Sequence, residues 1–173
     1  MKIRNMILCG LFAALLALCA WISLPAAGVI FTLQTFGIAL TLLLLGGKRG
    51  TIAVVVYLLL GIVGLPVFTG FQGGLGTLLN VTGGYIVGFL AWALLYWLIT
   101  TVAPQKKILA MVAGLLICYG FGTFWFYTLY LQGGSAMGLG AFLLKCLVPY
   151  LLPDAAKLSL AFLLATRLKR FAY

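Results

Sequence analysis

The chemistry available to this chain is concentrated in one pair of residues, Asp154 and Lys157. Among 173 residues there are 11 Lys plus Arg, a single acid and no His. At a spacing of three on a helix, the carboxylate and the ammonium share one face. Lys157 can neutralise Asp154 there, or both can meet a ligand. With no His and no second acid, the chain has no general acid–base pair, no proton relay and no metal site of ordinary ligand spacing. The four cysteines, Cys9, Cys19, Cys118 and Cys146, lie within or beside apolar runs without a CxxC, and are read as packed thiols. The chemistry left is recognition: the expectation is a binder, not an enzyme, with no cofactor.

Two amides extend the set. Asn80 follows the glycine-rich run Phe71–Leu79, and Gln34 sits between Thr32 and Thr35 at the start of an apolar run. Asn80 suits a ligand contact or a helix cap equally. Tyr85, Trp92, Tyr150 and Phe31 are available as apolar walls or as interfacial anchors. One carboxylate, one ammonium and one or two amides suit a small polar organic molecule. They lack the rings of carboxylates or carbonyls that build an ion filter.

The elements that must position these groups follow from composition. The chain is 65% hydrophobic and 7% charged, against roughly 45–50% and 25% in soluble domains. It cannot cover a water-facing surface, so it reads as an all-α integral membrane protein. Six apolar runs of spanning character appear: Met6–Leu24, Phe31–Leu45, Thr51–Phe68, Tyr85–Val102, Ile108–Leu131 and Phe142–Leu168. They form a single six-span domain over residues 1–173, broken at Pro25–Gly28, Gly46–Gly50, Gly70–Gly84, Pro104–Lys107 and Gln132–Gly140. The run Met6–Leu24 is too long for a signal h-region and reads as an uncleaved first span.

With the N-terminus in the cytoplasm, nine of the 11 cations fall on cytoplasmic segments: Lys2, Arg4, Lys48, Arg49, Lys106, Lys107, Arg167, Lys169 and Arg170. That asymmetry predicts both termini inside. The net charge of +10 is thus a topology signal and not a nucleic-acid surface. Gly46-Gly47-Lys48-Arg49-Gly50 lacks P-loop spacing, and Arg follows the lysine where Ser or Thr is needed, so the chain cannot hydrolyse ATP alone.

Pro153 is expected to start the last helix, with Asp154 in its first turn. Ions at that depth cost roughly 2.5–3.5 kcal/mol each on insertion scales, which points to function. Gln34, Asn80 and Asp154 then converge at the outer ends of spans two, four and six. Gly84-x-x-x-Gly88 and Ala13-x-x-x-Ala17 offer small faces for close helix approach, the first inside the bundle and the second towards another subunit.

Nearly the whole chain resembles the BioY biotin transporters, the substrate-binding S components of energy-coupling factor (ECF) transporters. The resemblance is carried by Phe31-Thr32-Leu33-Gln34-Thr35, by Gly61 to Phe68 with Gly73-Gly74-Leu75-Gly76, by Thr82 to Phe89, and by Pro149 to Lys157. It implies a six-helix bundle with a vitamin site near the outer face. Asp154 would accept from the ureido N–H groups of biotin, with Asn80 and Lys157 as polar partners and Gln34 and Tyr85 also carried over. Lys157 would neutralise Asp154 or meet the biotin carboxylate. Pro153 abuts Asp154 where the family often reads Gly-Asp, and Asn80-Val81-Thr82 replaces a commoner Gly-Pro-Thr. The resemblance further implies a transmembrane coupling subunit, two cytoplasmic ATPase subunits, docking through Ala13 and Ala17, and residence in a bacterial or archaeal cytoplasmic membrane. The alternative substrate is another vitamin, such as riboflavin or thiamine.

Overall fold

The computed structural model describes residues 3–26, 29–133 and 138–171. Lys2, residues 27–28 of the first turn and residues 134–137 of the last connection lie outside the described residues, as do the side chains of Lys145, Lys169 and Arg170. Helix α1 spans Ile3–Trp21 and leads into a two-stranded antiparallel ribbon, β1 (Ser23–Ala26) and β2 (Val29–Thr32), paired from Ser23↔Thr32 to Ala26↔Val29. Then come α2 (Gln34–Ile62), a short α3 (Leu75–Leu79), α4 (Gly83–Val102), α5 (Lys107–Gln132), α6 (Leu139–Cys146) and α7 (Val148–Phe171). Long helices are the physical consequence of the apolar runs: in lipid, a helix satisfies its own backbone donors and acceptors.

Five helical stretches are long and apolar enough to cross a membrane. The second of them, α2, is a hairpin rather than a rod, which restores the count of six. Gly46 breaks it with φ 78° and ψ 172°. In a straight helix, residues eight apart would be separated by about 12 Å. Here a Cβ added at Gly50 would lie 3.1 Å from the Cα of Leu42, so the arms 34–45 and 47–62 fold back on each other. The hydrogen bond from Gln34 Nε2 to Tyr57 Oη, 2.9 Å, ties the far ends of the two arms.

Three sequence expectations are corrected. The first turn, expected to be short, is the ribbon β1–β2, so the first helix ends at Trp21 and the second begins at Gln34. The last helix begins at Val148, which leaves Pro153 inside it and no acid in its first turn. Pro149, the second residue of α7, has the position at which a missing N–H costs nothing. The helix dipole therefore does not hold the Asp154 charge; side chains do. Third, Ala13 and Ala17 are 1% and 6% exposed, packed in the core shared with α2. They close an internal interface and are not free for another subunit.

The α4–α5 pair is built on small residues facing large ones. Gly84 lies under Trp125, Gly88 against Cys118, Gly114 under Trp92 and Gly122 under Tyr85. These contacts let the two backbones approach closely. At one end of the bundle, Arg49 Nη1 donates to Asn5 Oδ1 at 3.2 Å, and Arg49 and Lys107 line a common cleft. The first residues of α1, the α2 turn and the α4–α5 turn therefore share that end. Asp154 lies at the other, bonded to Thr35 near the start of α2.

The Gly46 conformation belongs to a region that side chains with a Cβ enter at a cost of about 1–3 kcal/mol. Gly46→Ala is expected to lower the unfolding temperature in detergent accordingly. Gly120→Ala, at a helical position where an added Cβ meets nothing within 4 Å, is expected to leave it unchanged or raise it. Equal melting of the two variants would refute the strained hairpin turn.

Candidate substrate-binding site

Asp154 is 2% exposed, and three donors converge on its carboxylate. Thr35 Oγ1 donates to Oδ1 at 2.8 Å, Lys157 Nζ to Oδ1 at 2.7 Å and Tyr119 Oη to Oδ2 at 2.5 Å. They come from three helices, α2, α7 and α5. A carboxylate offers about four acceptor positions, two on each oxygen. Oδ1 is filled by Thr35 and Lys157; Oδ2, bonded to Tyr119, keeps one. A buried charge without partners would cost several kcal/mol, and these bonds offset that cost among the apolar side chains. Lys157 has three donors as an ammonium, and one is committed to Asp154.

Gln34 is 8% exposed and forms a second polar cluster. Its Oε1 accepts from Thr69 Oγ1 at 3.1 Å and Thr32 Oγ1 at 3.3 Å, while Nε2 donates to Tyr57 Oη. One amide N–H is left over. The amide plane is thus held from the ribbon, from the second arm of α2 and from the irregular segment that follows it. Thr69 reaches it because Phe68 is buried beneath Gly61, and Phe68 and Gln72 pair across a one-bridge turn. Irregular backbone of this kind survives at membrane depth only where it is buried or lines a cavity.

Both clusters face a cavity of about 810 Å³, within the range of roughly 300–1,000 Å³ common for small-molecule sites. Asp154, Lys157, Gln34 and Tyr85 all line it. Its apolar wall includes Phe68, Phe89, Phe126 and Tyr150, the last tilted against Phe31 with ring centroids 5.3 Å apart. Tyr85 Oη and Thr123 Oγ1 are 3.1 Å apart. Trp92, considered above as a wall, is 0% exposed and packs between α4 and α5 instead.

Asn80 is the expected contact that the structure does not bring to the lining. It is exposed at the end of α3, its Oδ1 accepting from the Val81 N–H at 3.2 Å and its carbonyl from Trp125 Nε1 at 3.1 Å. Its neighbours Thr77, Val81 and Thr82 line the cavity in its place. Conversely, Tyr119 and Tyr57 were missed. Each is a tyrosine in an apolar helix, with nothing local to separate it from a packing residue; only the position of Asp154 and Gln34 in space marks them.

Fold and cavity together define a membrane-embedded binding subunit: a six-helix bundle with an enclosed polar pair at one end. The chain belongs to the BioY family, whose model matches residues 1–173. It is 41% identical to the biotin transporter BioY of Thermotoga maritima, covering 96% of both chains. It is 32% identical to the probable biotin transporter BioY of Pyrococcus horikoshii, covering 98% of both. The crystal structure of the S-component for biotin from an ECF-type ABC transporter superposes with a TM-score of 0.82 at 26% identity, over 98% of this chain and 92% of that one.

Breaking a buried ion pair by removing one partner typically costs about 3–5 kcal/mol, because the other charge is left uncompensated. Lys157→Met is therefore expected to destabilise the protein strongly in detergent melts. Adding Asp154→Asn to it should recover most of the loss. If the double variant melts no higher than Lys157→Met, the neutralising role of the lysine is wrong.

Proposed function

We infer that this chain is the biotin-binding S component of an ECF-type transporter, and not an enzyme. The observation that carries the reading is the Asp154 carboxylate, buried, held by three donors and left with one acceptor position, beside a cavity walled by aromatic rings. The family membership and the biotin named for the relatives support the same substrate. A different vitamin, riboflavin or thiamine, is not favoured.

Biotin presents a ureido group with two N–H donors and one carbonyl, fused to an apolar thioether ring, and a carboxylate tail. Asp154 has room at Oδ2 for one ureido N–H rather than both. The uncommitted donors of Lys157 suit the ureido carbonyl or the ligand carboxylate. Gln34 contributes its spare N–H, Tyr85 a wall, and Asn80 a contact at the rim beside Val81. No covalent step is involved, so the subunit needs no cofactor.

The finer assignments follow from charge and exposure. The end that gathers Asn5, Arg49 and Lys107 is proposed to face the cytoplasm, which puts the biotin cavity at the outer face of a bacterial or archaeal cytoplasmic membrane. Energy comes from an ECF module, proposed to consist of a transmembrane coupling subunit and two ATPase subunits. With Ala13 and Ala17 occupied inside the bundle, the docking face of α1 is its exposed side. There Gly10 and Ala14 supply the small surface between Ile7, Leu11 and Leu18.

Titration calorimetry of the purified subunit should give saturable tight binding of biotin and none of riboflavin or thiamine. Asp154→Ala is expected to weaken biotin roughly 10- to 150-fold, from the ~1.5–3 kcal/mol of a hydrogen bond to a charged group. Unchanged affinity in that variant removes Asp154 from the site, and binding of another vitamin replaces the substrate. Separately, Ala14→Leu should reduce co-purification of the coupling subunit while biotin affinity is kept. Full recovery of the complex would move the docking face elsewhere.

A further inference from the structure

A second cavity, of about 290 Å³, lies at the end of the bundle away from Asp154, between the α2 hairpin turn and the α4–α5 turn. Arg49, Tyr96 and Lys107 line it, with Leu43, Leu44 and Leu45 on its apolar side. Two cations share this small space. The chain has one acid, Asp154, and that carboxylate is paired with Lys157 at the opposite end. No side-chain carboxylate among the described residues is therefore available to Arg49 and Lys107.

The other groups point the same way. Arg49 spends one guanidinium N–H on Asn5 and has five in all. Tyr96 is 2% exposed, and its hydroxyl makes no hydrogen bond to any described residue. Lys107 is the first residue of the 26-residue helix α5, where the helix dipole also favours an anion. Guanidinium, ammonium and phenol make a donor set without a counter-charge among the described residues, the arrangement that recognises a phosphate group. The three leucines add an apolar flank beside these donors.

We propose that this cavity is a binding site for the phosphate of an anionic phospholipid headgroup, with the glycerol and first acyl carbons against Leu43–Leu45. The site is separate from the biotin cavity and does not depend on the substrate assignment. The shared chemistry is a phosphate anion, which lipid or free phosphate can supply.

The test is native mass spectrometry of the delipidated full chain, titrated with phosphatidylglycerol, with phosphatidylcholine and with inorganic phosphate. One phosphatidylglycerol is expected to be retained per chain, with phosphatidylcholine and inorganic phosphate held far more weakly. Arg49→Gln with Lys107→Gln should weaken phosphatidylglycerol by about tenfold or more, with loss of two charge-assisted contacts. Tyr96→Phe removes only a hydroxyl and should weaken it by roughly threefold, which keeps the test intact if the double variant does not fold. Lys48→Gln is the control: the residue is exposed and outside the lining, so its loss should have little effect. Equal weakening by Lys48→Gln would reduce the effect to general charge attraction and overturn the site, as would unchanged binding in both lining variants. Inorganic phosphate retained as well as the lipid, with the same variant dependence, would overturn the lipid as the source of the phosphate.

Discussion

A carboxylate among apolar side chains must find its hydrogen-bond donors within the protein, because lipid supplies none. Asp154 finds them on α2, on α5 and one turn along its own helix. Two of the bonds that make its burial tolerable, from Thr35 and Tyr119, also join three helices, so the geometry of the site and the packing of the bundle are one arrangement. With three of about four acceptor positions filled, the carboxylate keeps a single position, suited to an N–H or O–H donor.

The rest of the molecule is divided into two ends by charge. One end carries the paired ions, the amide of Gln34 and the aromatic walls. The other carries cations with no carboxylate partner among the described residues, around the hairpin turn and the α4–α5 turn. Between them the helices pack on small residues set against large ones, as where Gly114 receives Trp92 and Gly122 receives Tyr85. Such packing needs no polar contact, which leaves the few polar groups of the chain free to gather at the site. The segment between α2 and α4 adds irregular backbone over the cavity. Its register depends on Phe68 being buried under Gly61, which delivers Thr69 to Gln34.

Much of this was legible in the chain. Apolar run lengths gave six helical segments, and the glycine-rich breaks marked the hairpin turn at Gly46 and the long connection before α4. Asp154 and Lys157 stood out because ions are rare at such depth, and their spacing alone put them on one face. The helix boundaries were less legible. Pro153 reads as a helix start, but the chain before it is already helical from Val148. Ala13 and Ala17 read as a docking face because small-residue spacing does not say which side of a helix is covered.

Composition and spacing by themselves determined that the chain lives in lipid, that it carries no His and no P-loop, and that its one acid sits beside a lysine. These are properties of residue types and of positions a few residues apart. The tertiary structure alone decided that Tyr119 and Thr35 hold Asp154, that Tyr57 and Thr69 hold Gln34, and that Asn80 stands outside the lining. Those contacts join residues 23 to 119 positions apart. No local pattern distinguishes such a tyrosine or threonine from a packing residue, because its partner is chosen by how the helices cross.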